Sequence, residues 1–334
     1  MQRRPGRSAK SLADSPRWLY ARVGQLRAPW RLLTFAACLF LAQGIAESFI
    51  SPAFGMLSTA MGEPIPSYPW TMLAAVFAAV VVALRNVDDA PWSAVALGDG
   101  AWNVRLLLRG TVLGAAAILG TTLLLWTVGA LRFETSALVD GNVSTLNAWS
   151  STSLRLLLFL APAALWEELI FRGYLWHVAV DGLGVAFARW STSFAFTAVH
   201  LMNPGASIRS TVVVFLAGLC LGLVRERSAS LPAAWAAHLA WNWVMAAALH
   251  VPVSGLAFAT PGYRAVLSGP DWLTGGAWGP EGSVIAGLVL IAAIAWSEWP
   301  RRQEYFPKYF STRTDHTSRA TVANATSAGA VTRS

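Results

Sequence analysis

Leu165-Trp166-Glu167-Glu168-Leu169-Ile170-Phe171-Arg172 places two carboxylates and a guanidinium inside an otherwise apolar stretch. Two further polar sets, Phe196-x-x-x-His200 and His238-x-x-x-Asn242, follow in later apolar stretches. Ionisable groups at membrane depth are costly, so they are commonly paired and functional. A carboxylate, two imidazoles and an amide are together able to activate water and to stabilise an oxyanion, which is what amide hydrolysis requires.

Helical geometry gives the two glutamates different tasks. Glu168 and Arg172 are four residues apart, on one face, and can pair as a structural clamp. Glu167 is turned about 100° from Glu168, away from that pair, and is free to act on water. His238 and Asn242 present an imidazole and an amide on one helical face. His200 comes from a different stretch, with Phe196 one turn before it in a packing role. Glu167, His200 and His238 also form a donor set that could hold a divalent metal such as zinc. Against this, His-Glu-x-x-His is absent and Asn is a poor zinc ligand. A water activated by glutamate and histidine, with His238 and Asn242 stabilising the oxyanion, accounts for Asn242 better. The metal route stays open beside it, and no other cofactor is indicated.

These side chains meet only if a helical bundle carries them. The chain has 334 residues, 55% hydrophobic and 13% charged, with a mean hydropathy of +0.49. A soluble domain carries about a quarter charged residues. Apolar runs near 30–50, 69–85, 110–131, 155–178, 187–204, 209–224, 231–250 and 282–298 predict an all-α polytopic membrane bundle of about eight transmembrane helices. Several tryptophans, among them Trp30, Trp70, Trp92, Trp126, Trp190 and Trp299, flank these runs as an interfacial belt would. Gly218-x-x-x-Gly222 suits close helix approach. Cys38 and Cys220 both fall in apolar runs and indicate no disulfide framework.

The net charge of +8 is concentrated at the chain ends, before the first run and after the last. That distribution fits anionic headgroups and argues against nucleic acid. With eight spans, the terminal arginines join Arg85, Arg105, Arg109, Arg189, Arg225 and Arg227 on one side, and Arg132, Arg155, Arg209 and Arg264 fall on the other. The bias predicts both termini in the cytoplasm. Abundant Ala, Gly and Arg with little Lys points to a high-GC bacterial source, hence a bacterial plasma membrane. The expected organisation is a basic disordered segment over 1–25, a membrane domain over 26–300 with its reactive core about 150–250, and a disordered tail over 301–334. Segments 132–154 and 251–281 read as loops. Glu47, His177 and His250 are expected to lie outside the reactive set.

Glu-Glu-x-x-x-Arg, Phe-x-x-x-His and His-x-x-x-Asn, in that order on successive apolar runs, resemble the CPBP family of intramembrane proteases, which includes CAAX prenyl proteases and bacteriocin-processing, Abi-like proteins. The resemblance covers roughly residues 150–250 and carries all three motifs. It implies an intramembrane endopeptidase acting on a membrane-associated protein or peptide within the lipid bilayer. It also implies Glu167, His200, His238 and Asn242 as the reactive set, with Glu168, Arg172 and Phe196 in support. Two other readings stay open. One is a non-catalytic membrane scaffold or immunity protein of the same fold. The other is a small-solute or proton transporter, which the lack of internal repeats disfavours.

Overall fold

Each of the eight apolar runs carries a helix, because such runs satisfy their backbone polar groups internally. The computed structural model describes residues 20–22, 25–62, 65–135, 143–258 and 261–298. In chain order the elements begin with strands β1 (Tyr20–Arg22) and β2 (Gln25–Leu26), followed by helices α1 (Ala28–Met61), α2 (Tyr68–Val82) and α3 (Val104–Thr127). Strand β3 (Leu131–Thr135) leads to α4 (Val143–Glu168), α5 (Leu175–His200), α6 (Ile208–Ser228) and α7 (Leu231–Trp243). Strand β4 (Tyr263–Leu267), the single turn α8 (Asp271–Thr274) and α9 (Val284–Glu298) complete the set. These belong to the unit Met1–Ser297, except that α9 reaches one residue beyond it. Apart from β1 and the first residue of β2, the basic segment 1–25 lies outside the described residues, as does the tail 301–334.

Among the described residues four helical stretches are long and apolar enough to cross a membrane: Ala28–Met61, Tyr68–Asp88, Val104–Thr127 and Ile208–Ser228. Each expected run is thus helical, while the expected count of about eight spans is not confirmed by helix length and composition. Polar residues enter α4 and α5, and α7 and α9 run for only 13 and 15 residues. The two expected loops are partly regular. Residues 143–154 form the start of α4, where Ser150 and Ser151 hydroxyls bond back to Leu146 and Ala148 carbonyls. Leu131–Thr135 pairs antiparallel with Tyr263–Leu267.

Local chemistry sets the boundaries that matter for the reactive set. Ser207 and Ser210 form a reciprocal capping box at the start of α6. Ala229, at φ 51, ends that helix, and Ser230 caps α7 by accepting from the Ala233 amide at 3.1 Å. Gly184, at φ 86 and ψ 175, breaks α5 into two limbs. Single π-helical turns follow α4 (Leu169–Tyr174) and α7 (Val244–Leu249), so the backbone widens directly after Glu168, in the turn that carries Arg172, and shortly after Asn242.

One buried apolar cluster joins Phe35, Val76, Val80, Leu84, Leu169, Tyr174 and Leu231. A second joins Ile118, Leu125, Leu156, Leu160 and Met245. Between them, indole hydrogen bonds hold α4 to α7 and to the π-helical turn that follows it. Trp235 donates to the Ala161 carbonyl at 2.9 Å, Trp243 to Ser153 at 3.0 Å and Trp149 to Ala247 at 2.9 Å. Side chains such as Phe40, Leu41, Ile45 and Phe49 of α1 remain exposed, an apolar surface suited to lipid.

Candidate functional site

The three motifs meet around one imidazole. His238 Nδ1 lies 2.9 Å from Glu168 Oε1, and its Nε2 lies 3.8 Å from Glu167 Oε2. The two glutamates, separated by one helical step, thus address opposite nitrogens of the same ring. Glu168 is fully buried and also pairs with Arg172 Nη1 at 3.1 Å. A carboxylate so paired can only accept, so His238 Nδ1 carries a proton and donates it. The expected clamp exists, but Glu168 does more than compensate a charge: it orients the imidazole.

Arg172 is buried too. Its Nη2 donates to the Gly218 carbonyl at 3.0 Å, and its guanidinium lies 4.4 Å over the Phe196 ring. This joins the turn after α4 to α5 and α6. Phe196 in turn meets His238 edge-on at 5.8 Å between ring centroids, and His200 at 4.4 Å. The residue expected only to pack therefore contacts a member of each motif.

His200 closes the last turn of α5. Its Nδ1 lies 2.8 Å from the Phe196 carbonyl. Since a carbonyl can only accept, the proton belongs on Nδ1, and Nε2 keeps its lone pair. His200, His238, Asn242 and Glu167 line a common cavity of about 380 Å³ with Tyr68, Trp166, Asn203 and Ser254. A second, mainly apolar chamber of about 80 Å³ shares His200, His238, Asn242 and Ser254, and reaches between α3, α6 and α9. The motif side chains stand where the two chambers adjoin.

Glu167 Oε2 is buried and has no hydrogen-bond partner among the described residues. A buried acceptor left without a donor is costly, and one facing an imidazole across a cavity is suited to take a proton from a water between them. Among the described residues no three His, Cys, Asp or Glu side chains are grouped closely enough to hold a metal. The Nδ1 atoms of both histidines are engaged by acceptors, which leaves each Nε2 as the ring nitrogen open to other partners.

Residues set aside in the sequence occupy separate networks. Glu47 accepts from Thr71 at 2.6 Å and Gln43 at 2.9 Å. His177 lies 3.6 Å from Asp88, whose carboxylate pairs with Arg31 at 2.6 Å. His250 stacks on Tyr263 with centroids 4.0 Å apart. The sequence reading missed Glu281, which lines the second chamber within the segment taken for a loop. A lone carboxylate among Gly, Pro and Trp carries no periodic signal that would single it out.

Residues 149–244 match the family model for Rce1-like proteins, described as type II CAAX prenyl endopeptidase Rce1-like. This segment holds all three motifs, and the match is to the CAAX protease group of the CPBP family that they resemble. It covers well under half of the chain. No match is found among curated proteins or solved structures.

Proposed function

We propose that this chain, whose Rce1-like segment contains the whole reactive set, is an intramembrane endopeptidase acting on a membrane-associated protein or peptide. The observation that carries the reading is the pair of carboxylates on one imidazole: Glu168 against Nδ1 of His238, and an otherwise unpartnered Glu167 oxygen 3.8 Å from Nε2.

Glu167 takes the proton of a water, which attacks the scissile carbonyl carbon. His200, with its Nε2 lone pair available, assists in holding that water. The developing oxyanion receives hydrogen bonds from the Asn242 amide and from His238, which donates through Nε2 when both ring nitrogens carry protons. Glu168 fixes the ring and balances its charge, as a buried carboxylate does for a catalytic imidazole. The proton held by Glu167 then passes to the leaving amine as the C–N bond breaks. Exclusion of bulk water by the surrounding helices strengthens each of these interactions.

The bundle of apolar helices supports a position in a lipid bilayer. The arginine distribution supports cytoplasmic termini, and the Ala-, Gly- and Arg-rich, Lys-poor composition supports a bacterial plasma membrane. The deciding experiment compares wild type and Glu167→Gln in a membrane proteome for new peptide termini. Termini that appear only with wild type are expected; the same termini with the inserted, folded variant would sink the assignment. If neither protein yields termini while both fulfil the same cellular role, the scaffold reading replaces this one.

A further inference from the structure

Glu281 lies in the turn Pro280–Gly282, ahead of α9 and outside the Rce1-like segment, yet it is buried in the chamber wall beside His200, His238 and Asn242. Three donors converge on its carboxylate. One oxygen accepts from the Ser254 backbone amide and from the Ser254 hydroxyl, the latter at 2.8 Å. The other accepts from the Trp241 indole at 2.8 Å. A carboxylate can satisfy donors on both oxygens at once, which a neutral amide cannot.

The two sides of this carboxylate lead to the two halves of the reactive set. Trp241 precedes Asn242 and stands three residues after His238, so fixing its indole fixes the rotation of that face of α7. Ser254 opens a two-residue turn with Gly255, at φ 48 and φ 81, closed by reciprocal Val253–Leu256 backbone bonds. This turn leans on the end of α5. The Ser254 carbonyl accepts from Asn203 at 3.2 Å, and a side chain at Gly255 would lie 1.9 Å from the Pro204 carbonyl. Asn203 is itself tied to His200 by a backbone bond of 3.1 Å.

We propose that Glu281 is a positioning residue that couples α7, bearing His238 and Asn242, to the end of α5, bearing His200. It touches neither substrate nor water in this role. The kinetic consequence rests on the endopeptidase reading; the structural consequence does not. Glu281→Gln keeps the volume but places an N–H₂ toward either Trp241 or Ser254, so one side of the coupling is lost. Misplacement of reacting groups by about 1 Å can cost about 100-fold in rate.

The test uses the full chain in lipid nanodiscs, with Glu281→Gln, Trp241→Phe and the double variant. Two readouts are taken: the imidazole ¹⁵N resonances of His200 and His238, and cleavage of a substrate identified by the proteome comparison. In each single variant the imidazole resonances should shift. Turnover should fall about 10-fold to 100-fold with KM little changed, and the double variant should be no worse than the more affected single. Unmoved imidazole resonances in folded Glu281→Gln and Trp241→Phe would overturn the proposal, as would additive losses. If wild type cleaves nothing, the endopeptidase reading fails, and the resonances still decide the coupling. Should Glu281→Gln fail to fold, Trp241→Phe, which removes one donor and leaves the carboxylate, carries both readouts.

Discussion

Glu168 binds the Nδ1 of His238 at 2.9 Å while holding Arg172 at 3.1 Å, so one fully buried carboxylate serves both the His238 imidazole and the guanidinium that ties three helices together. Its removal should therefore be felt twice, once in the chemistry and once in the fold. The two effects can be separated by the choice of substitution.

Glu168→Gln keeps the shape and a carbonyl acceptor but loses the charge. Both donors reach the same oxygen, Oε1, so a Gln carbonyl there can still accept from both, but as a neutral acceptor that no longer balances the guanidinium or a charged imidazole. Cleavage should fall by roughly 10²-fold or more, the scale of a general acid–base contribution, while the variant still inserts and folds. A variant with undiminished turnover would return Glu168 to the role of clamp alone.

Arg172 tests the structural half. It is fully buried, donates in two directions and stacks on Phe196. Arg172→Ala leaves the Glu168 charge buried with only His238 beside it, and breaking a buried pair in this way costs about 3–5 kcal/mol. Arg172→Lys should also destabilise, because an ammonium cannot reproduce the planar fork or the stacking. Thermal unfolding in detergent should rank wild type above the Lys variant and the Lys variant above Ala. Equal midpoints for all three would remove Arg172 from the account.

The ribbon of β3 and β4 predicts a pH dependence remote from the reactive set. Glu134 stands opposite Arg264, and that guanidinium, with Arg132 beside it, holds the Glu134 carboxyl below the usual carboxylate range. A depressed value means that the folded form resists protonation. The stabilisation is complete above the ordinary carboxylate value of about 4.3 and is lost as pH falls through the lower folded value. Amide protection of Phe133 and Ala265 should drop on acidification through that window, and in Glu134→Gln it should be lower at neutral pH and flat. A wild-type ribbon whose protection ignores pH there would contradict this.

Much of the site was legible because its chemistry is local. The i, i+4 spacing of Glu168 with Arg172 and of His238 with Asn242 follows from helical geometry, and the apolar runs locate every helix that carries a motif residue. What was not legible depends on how helices face one another. No spacing within α4 reveals that Glu168 meets an imidazole 70 residues away, or that Glu167 and Glu168 take opposite nitrogens of one ring. Glu281 was hidden for the same reason, since its three donors come from distant segments. Trp149, Trp235 and Trp243 bond α4 to α7 and the turn after it, which only the packing exposes. The number of membrane-length spans is not settled by the apolar runs, since polar residues enter α4 and α5, and α9 is only 15 residues long.

The closest helix approach also differs from the one that the glycines suggested. Gly218 and Gly222 face side chains, Ser193 for the first and Trp176 with Arg189 for the second. On α3, Gly110 and Gly114 meet backbone instead. A Cβ on Gly114 would lie 2.0 Å from the Ala237 carbonyl oxygen, and one on Gly110 would lie 2.2 Å from that of Ala233. Backbone cannot rotate away as a side chain can, so Gly114→Ala must push α7 outward. Ala237 directly precedes His238, and the push reaches the ring held between Glu167 and Glu168. Overpacking of this kind costs about 1–3 kcal/mol, and cleavage should fall more steeply than stability because His238 moves off Glu168. Gly120→Ala, on the same helix with nothing near its Cβ, should leave both unchanged. If Gly114→Ala melts like Gly120→Ala and cleaves as well as wild type, α3 does not set the position of α7.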